Sequence, residues 1–267
     1  MPLDELYNRT LAEDQRQWYR RAVLILAVAA VIAAGAAHSK LFDGRRLMEG
    51  IPSLLSLLGE MFPPNFAEVK SWLRPVLDTL GMSIAGTALA VLLSFPLSLL
   101  AARNIAPHPL VYQVARVVLN LLRSVPELIM GIVFVAAVGF GALPGVLALG
   151  LHSVGMIGKF FSEAIEHADN APIEAARAAG LSPLQVILHG ILPQTLPQMA
   201  DVSIYRWEYN FRASTVMGMV GAGGIGFELM GALRIMQYRD VLAILIVILF
   251  MVTLVDGFSG YLRKQFK

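Results

Sequence analysis

Glu174-Ala175-Ala176-Arg177-Ala178-Ala179-Gly180, then Leu181-Ser182-Pro183 and later Ile191-Leu192-Pro193, is the stretch on which the interpretation of the whole chain depends. Ala, Glu and Arg favour helix, and Gly180 fits the residue just beyond a helix C-terminus. Ser182-Pro183 fits the N-cap and first position of a second helix, and Pro172 fits the first position of the helix before it. The pattern predicts two short helices joined by a tight turn.

The composition places this motif in a membrane protein. The 267 residues are 57% hydrophobic and 15% charged, whereas soluble domains carry about 25% charged residues. A charge in lipid must be hidden, paired or functional, so this deficit indicates an integral membrane protein. Cysteine is absent, which excludes disulfides, thiolate metal sites and cysteine nucleophiles. A formal net charge of +2 gives no reason to expect nucleic acid as a partner.

Apolar runs of membrane-spanning length flank the motif on both sides. A helix needs about 20 apolar residues to cross a bilayer, and the sequence predicts six spans, at residues 22–37, 79–102, 110–140, 146–165, 194–220 and 241–262. The first run ends like a signal-peptide cleavage site, but the long, acid-containing segment before it favours an uncleaved span. Pro126 predicts a kink or break in the third span. The predicted fold class is an all-α integral membrane protein.

Residues 45–62 have a different pattern from the spans. Their apolar side chains recur on one helical face and charges occupy the rest, so we expect this helix to lie flat on the lipid surface. The predicted organisation is an N-terminal span and surface helix over 1–75, a transmembrane core over 76–262 with a polar loop at 168–193, and a tail at 263–267.

The number of spans also predicts an orientation in the cell (inner or plasma) membrane. Six spans that start inside place both termini and the 168–193 loop on the cytoplasmic side. The distribution of Lys and Arg favours this orientation by a narrow margin.

The fifth predicted span contains the charges that are hardest to place in lipid. Arg206 lies about 18 Å along the helix from residue 194 at ~1.5 Å per residue, and a charge near the bilayer centre costs at least ~2.5–3.5 kcal/mol. Glu208 and Arg212 can pair as i, i+4 neighbours, but Arg206 has no acid on its own helical face. Two interpretations stay open, a structural network and a polar wall of a solute path. The wall would comprise Arg206, Glu208, Asn210, Arg212 and Ser214.

Residues 221–226, Gly-Ala-Gly-Gly-Ile-Gly, match the dinucleotide-binding fingerprint letter for letter. That motif has meaning only within a βαβ unit, which this sequence does not indicate. A turn in which backbones approach closely is favoured instead, formed by Gly221, Gly223, Gly224 and Gly226.

Residues of other chemistries are scattered. The histidines lack the spacing of a metal site, and no phosphate-binding loop with Lys-Ser or Lys-Thr occurs. His152-Ser153 has none of the other features that serine catalysis requires. We therefore expect no catalytic residue, metal or cofactor in this chain.

The 174–193 stretch resembles the Glu-Ala-Ala loop of bacterial ABC importer permeases, the cytoplasmic element that docks into the ATPase subunit. Gly190 stands where isoleucine is usual, and the residues that match are Glu174, Ala175, Ala176, Gly180, Leu192 and Pro193. With Arg123-Ser124-Val125-Pro126 and the glycine-rich turn, the resemblance covers about residues 76–262 and is strongest to permeases of phosphonate or phosphite transporters.

This resemblance implies a type I importer core, a homodimer of this chain, two ATPase subunits that bind ATP and Mg, and an extracytoplasmic binding protein. The solute would be a small anion, phosphonate or phosphite, with the glycine-rich turn near the gate. Coupling to the ATPase would depend on Glu174, Ala175, Ala176, Gly180 and Pro193.

Two alternatives stay open at this point. A methionine- or quaternary-amine-type ABC permease would share the loop without needing an unpaired arginine in the middle of a span. A secondary transporter or membrane enzyme would not need the loop.

Overall fold

Every regular element that the computed structural model describes, over residues 3–41 and 43–266, is helical. The helices are α1 (Leu3–His38), α2 (Gly44–Met61), α3 (Leu73–Leu100), α4 (Pro109–Ser124), α5 (Glu127–Val138), α6 (Ala142–Glu166), α7 (Asn170–Ala178), α8 (Pro183–Val186), α9 (Leu192–Met217), α10 (Ile225–Arg234) and α11 (Tyr238–Lys264). Two π-helical segments, Ile187–Ile191 and Gly218–Ala222, precede and follow α9. The predicted all-α fold class is confirmed.

The chain divides by its internal packing into two units, Met1–Gly59 and Glu60–Lys267. In the first unit, Asp14–His38 is long and apolar enough to cross a membrane. The next helix, α2, covers the predicted amphipathic segment and exposes apolar side chains such as Leu54 and Leu55. Its place on the membrane surface and the predicted boundary at residues 75/76 stay predictions.

The second unit contains three long apolar helices and two bent helix pairs. The long helices α3, α6 and α11 could each span a bilayer. The pair α4 and α5 is bent by 85°, and the stretch Pro183–Ala222 is bent by 57° against α10. If each bent pair counts as one span, the described residues of the second unit contain up to five spans. Asp14–His38 of the first unit brings the total among the described residues to six, which agrees with the six predicted.

The bend between α4 and α5 lies at the predicted break. Pro126 has an extended backbone with ψ 137° and is the N-cap of α5, while Val125 ends α4 in an extended conformation. Proline disfavours the helical conformation in the residue before it, which explains why α4 stops here. Residues 110–140 are therefore two helices at a steep angle, and the predicted break at Pro126 is confirmed.

Some helix boundaries differ from those predicted. The helix α6 begins at Ala142, four residues before the predicted span. The glycine-rich turn leads into α10, a separate ten-residue helix between the turn and the last span. Pro172 is the third residue of α7, because the Asp169 side chain accepts a hydrogen bond from the Ala171 N–H at 3.1 Å and so caps the helix two residues earlier.

The core of the second unit forms around α3, α6 and α9. Small side chains let α3 and α6 lie close together, as Ala90 and Ala148 are both fully buried and Ser94 donates to the Val154 carbonyl at 3.2 Å. The helix α9 packs against α3, α6 and α11. Its polar side chains therefore have helical neighbours on several sides.

Candidate functional site

The Glu-Ala-Ala segment folds as two short helices around a left-handed turn. Gly180 has a φ of +78° just beyond the end of α7, as predicted for that position. Ser182 is the N-cap of α8 with Pro183 in its first position, and the Gln185 side chain accepts from the Ser182 N–H at 2.9 Å. These local predictions are confirmed.

One face of α7 is buried and the other is open. Ile173 is 4% exposed and packs into the core with Val186 and Ile191. Glu174 and Ala175 are exposed, and Ala176 is half-buried. Gly180 and Pro193 are also exposed. The segment therefore presents a short surface that another protein could contact.

Arg206 lies in the middle of α9 and is only 6% exposed. Its Nε donates to the Ser153 hydroxyl of α6 at 2.8 Å, and its guanidinium lies 4.2 Å from the centre of the Tyr209 ring. Its Nη2 has no hydrogen-bond partner among the residues that the structure describes. A buried donor left unpaired is rare in proteins and costs free energy.

The carboxylate of Glu127, on α5, is linked to Arg206 only through Tyr209. The Tyr209 hydroxyl donates to Glu127 Oε1 at 2.7 Å, and Glu127 Oε2 lies 3.1 Å from Nε2 of His152. Glu127 is the first residue of α5, directly after the break. The His152 Nδ1 is 3.0 Å from the Val125 carbonyl, so one histidine of α6 contacts both sides of the break.

Asn210 joins three helices. It is fully buried, donates to the Thr87 hydroxyl of α3 at 2.9 Å and accepts from the Ser153 hydroxyl of α6 at 3.0 Å. Ser153 thus connects Asn210 with Arg206, while His152 contacts Glu127. The neighbours His152 and Ser153 serve different partners, which gives no support to serine catalysis. Ser214 is also buried and donates to the Thr79 carbonyl of α3 at 3.3 Å.

The opposite face of α9 forms direct ion pairs. The predicted pair of Glu208 and Arg212 is confirmed at 3.0 Å, and Arg212 also reaches Asp256 of α11 at 2.9 Å. Ser259 donates to Glu208 at 3.0 Å, and Arg263 approaches the same carboxylate at 3.5 Å. The side chains of Arg212 and Asp256 are each 42% exposed in this single chain.

The glycine-rich turn is closed by backbone contacts. Gly221, Gly223 and Gly224 have φ values of +103°, +75° and +73°, which other residues rarely adopt. A Cβ on Gly224 would lie 2.5 Å from the Thr79 hydroxyl, which accepts from the Ile225 N–H at 2.9 Å. Gly226 faces the Thr215 carbonyl with no room for a side chain. The turn follows a helix, so the nucleotide-binding interpretation has no βαβ unit to support it.

A cavity of about 440 Å³ lies beside this turn. Its lining is mostly apolar and comes from α5, the second π segment and α10, and includes Phe140, Gly221 and Arg234.

Sequence reasoning identified Arg206, Glu208, Asn210, Arg212 and Ser214 but missed most of their partners. Five of the missed residues are Thr87, Glu127, Ser153, Asp256 and Ser259. An isolated polar residue within an apolar run was the available signal for Asp256 and Glu127. The remaining partners are Ser and Thr, which are common in membrane helices and give no such signal.

Residues 94–267 match the family model described as binding-protein-dependent transport system inner membrane component. The chain belongs to this family. It is a multi-pass membrane transport subunit of the ABC importer permease type, and the resemblance to phosphonate and phosphite permeases is confirmed.

Two relatives illustrate this membership. The phosphite transport system permease protein PtxC of Stutzerimonas stutzeri is 68% identical over 250 residues, which cover 94% of this chain and 91% of that protein. The phosphate-import permease protein PhnE of Mycolicibacterium smegmatis is 43% identical over 218 residues, covering 82% of this chain and 41% of that protein.

A solved structure has the same fold. A subunit of the MetNI methionine ABC transporter in an inward-facing conformation superposes with a TM-score of 0.64 at 20% identity, over 73% of this chain and 96% of that chain. The predicted type I core is thereby confirmed at the level of fold. The roles assigned to individual residues stay predictions.

Proposed function

We propose that this chain is the permease subunit of an ATP-driven importer for a small phosphorus oxyanion, phosphite or phosphonate. An extracytoplasmic binding protein would deliver the anion, and separate ATPase subunits would bind ATP and Mg and hydrolyse the nucleotide. The proposal is supported by family membership and by relatives named for phosphite and phosphate import. No cofactor is required in this chain.

The observation that most directly supports an anionic solute is the environment of Arg206. The residue is buried in the middle of a predicted span, makes no direct ion pair among the described residues, and keeps Nη2 without a partner. Charge-assisted hydrogen bonds from guanidinium to oxyanions are among the strongest polar contacts in proteins. We infer that Nη2 is available to an oxyanion as it passes α9.

The ion pairs toward α11 support a homodimer around the solute path. Arg212 and Asp256 are half-exposed in one chain, yet both belong to helices assigned to the membrane. Charges in membrane segments face a protein interior or a water-filled cavity far more often than lipid. We therefore place this face of α9 and α11 against the second copy or the water-filled path between the two copies. Glu208, Asn210 and Ser214 would hold α9 in place along that path.

The exposed face of α7 would be the docking surface for the ATPase. Glu174, Ala175 and Ala176 would contact the ATPase, while Gly180 and Pro193 shape the segment that carries them. ATP binding would draw two ATPases together and move the loop at 168–193 as a lever, so that the solute path opens to the other side. This arrangement requires cytoplasmic termini and a cytoplasmic loop, as the six-span topology predicts.

The glycine-rich turn would form part of the gate at the outer end of α9. Gly224 and Gly226 allow the backbone to pack against α3 and α9, while Gly221 and Gly223 lie against Phe140 and the start of α6. A rigid, close-packed turn next to a cavity of about 440 Å³ is suited to closing the path until the helices move.

Substitution of Arg206 tests the solute contact. We expect Arg206→Gln to retain assembly with the ATPase but to lower binding-protein-dependent uptake of radiolabelled phosphite at least tenfold, with partial recovery in Arg206→Lys. Arg16→Gln, at an exposed position of α1, is the matched control and should leave uptake unchanged. Unchanged uptake by an assembled Arg206→Gln complex would rule out the substrate contact.

A further inference from the structure

The carboxamide of Gln194 connects the coupling helix α7 to the transport helix α9. Gln194 is the third residue of α9, and its Oε1 accepts from the Asp169 N–H at 2.9 Å. Its Nε2 donates to the Asp169 carbonyl at 3.3 Å and to the Gly190 carbonyl at 2.5 Å. One side chain therefore pairs with both backbone groups of the residue that caps α7.

The backbone between the two helices makes this contact possible. The π-helical segment Ile187–Ile191 directly precedes Leu192-Pro193. Proline has no N–H to donate to the preceding turn, so the regular ladder of hydrogen bonds is interrupted here. Single π turns of this kind are frequent at functional sites. The Gln194 side chain supplies a donor to a carbonyl of that same irregular turn.

We call the paired hydrogen bonds between Gln194 and Asp169 the Gln194 clamp. Gly190 lets α7 approach closely enough for this clamp to form. A Cβ on residue 190 would lie 3.4 Å from the Ile173 Cα and 3.5 Å from the Pro172 carbonyl oxygen. A methyl group therefore fits in ordinary contact, but the backbone of α7 already lies beside that Cβ, so a bulky side chain has little room on this side.

We propose that Gln194 is a positioning residue that makes α7 and α9 move as one body, so that displacement of the coupling helix reaches Arg206. Arg206 is twelve residues farther along the same helix, about 18 Å at ~1.5 Å per residue. A short helix held only by packing can change its orientation, whereas a pair of opposed hydrogen bonds to its N-cap residue, Asp169, restrains it. The inference rests on the proposed docking of the ATPase at α7.

Gln194→Ala tests transmission in the full complex. The permease, the co-purified ATPase and the binding protein are reconstituted in liposomes, and transported radiolabelled phosphite is divided by ATP hydrolysed. We expect unchanged ATPase association, ATP hydrolysis within twofold of the unsubstituted complex, and at least a tenfold fall in phosphite per ATP. Gln198→Ala, at an exposed glutamine one turn farther along α9, should preserve the ratio. An unchanged ratio in Gln194→Ala overturns the proposal.

Substitution at Gly190 perturbs the clamp from the other side. Gly190→Ala should keep the ratio of phosphite to ATP, because a Cβ fits. Gly190→Leu should lower it as Gln194→Ala does, with ATPase association retained. A normal ratio in Gly190→Leu would show that close approach of α7 is not required.

A distance measurement between α7 and α9 tests whether Gln194 holds the two helices together, even where a variant fails to bind the ATPase. The chain contains no cysteine, so cysteines introduced at Ala171 on α7 and Leu196 on α9 take spin labels without a background. In the purified chain we expect a narrow distance distribution by pulsed electron paramagnetic resonance, which broadens in Gln194→Ala but not in Gln198→Ala. An unchanged distribution in Gln194→Ala overturns the proposal. Absence of any ATPase with the unsubstituted chain would instead contradict the proposed function.

Discussion

The two polar faces of α9 differ in how their charges are neutralised. Toward α11, Glu208 and Asp256 contact guanidinium groups directly, at 3.0 and 2.9 Å. Toward α5 and α6, Arg206 contacts a hydroxyl and an aromatic ring, and its acid Glu127 lies beyond the Tyr209 hydroxyl.

The arginine without a direct ion pair among the described residues is also the more deeply buried one. Arg206 is 6% exposed, whereas the Arg212 side chain is 42% exposed. Arg206 Nη2 and Arg263 Nε both lack a partner among the described residues, but Arg263 has a direct contact with Glu208 through its Nη2. The α11 face is therefore a structural network, which we call the clasp; its members are Glu208, Arg212, Asp256, Ser259 and Arg263. On the other face, Arg206 keeps its charge but has one guanidinium nitrogen, Nη2, without a hydrogen-bond partner among the described residues. A ligand that binds briefly could use this donor.

The largest effect is expected from a substitution that touches neither face. Glu174→Arg reverses a charge on the exposed side of α7, so it should abolish ATPase association and uptake while the thermal midpoint of the purified chain stays unchanged. Co-purification from membranes in mild detergent measures the association. Normal association of the variant would contradict the docking of the ATPase at this segment.

Removal of Glu208 should damage the clasp most. Glu208→Ala removes the carboxylate that Arg212, Arg263 and the buried Ser259 hydroxyl share. The two arginine side chains are part-exposed and Arg212 keeps Asp256, so the main cost is the unsatisfied Ser259 hydroxyl, about 1–3 kcal/mol. We expect a clear fall in the thermal midpoint of the purified chain in detergent. Glu163→Ala is the control, because the Glu163 carboxylate has, among the described residues, only the single, part-exposed partner Lys159 at 3.6 Å and such pairs contribute under about 1 kcal/mol. Equal falls in the thermal midpoint for the two variants would contradict a special structural role for Glu208.

Asn210→Ala tests the other face. The Thr87 and Ser153 hydroxyls lose their buried partner, which costs about 1–3 kcal/mol for each group left unsatisfied. Phosphite uptake should fall more than the amount of assembled complex, because Ser153 also positions Arg206. Uptake that falls only in proportion to assembled complex would assign this face a purely structural role.

The smallest effect is expected at Asp256. Its pair with Arg212 is half-exposed, and Arg212 keeps Glu208 as a partner, so Asp256→Asn should cost only about 0.2–1 kcal/mol. Uptake per assembled complex should stay within about twofold of the unsubstituted chain. A loss as large as that in Glu208→Ala would mean that Asp256, and not Glu208, holds the clasp.

Local chemistry made much of the fold predictable from sequence. Proline at 126 indicated the break, glycine at 180 the end of α7, and spacing alone identified the pair of Glu208 and Arg212. The same helical spacing separated Arg206 from that pair. Each of these features depends on residues close together in the chain.

Features that depend on packing between distant segments could not be predicted in this way. Ser153, which Arg206 contacts directly, and Glu127, which it reaches through Tyr209, lie on α6 and α5, 53 residues or more away. Hydroxyl groups in membrane helices are too common to indicate a site. The sequence located the break between α4 and α5 but not its angle of 85°. The Gln194 clamp needs a π-helical turn that no propensity scale predicts.

The most direct test of the central claim is uptake by the intact complex. The tagged chain is purified from its native membrane in mild detergent, its co-purifying proteins are identified by mass spectrometry, and the complex is reconstituted in liposomes with radiolabelled phosphite outside. We predict that an ATPase and a binding protein accompany the chain, and that phosphite accumulates only when ATP and the binding protein are both present. A chain that is purified alone and moves phosphite into liposomes without ATP would contradict the account.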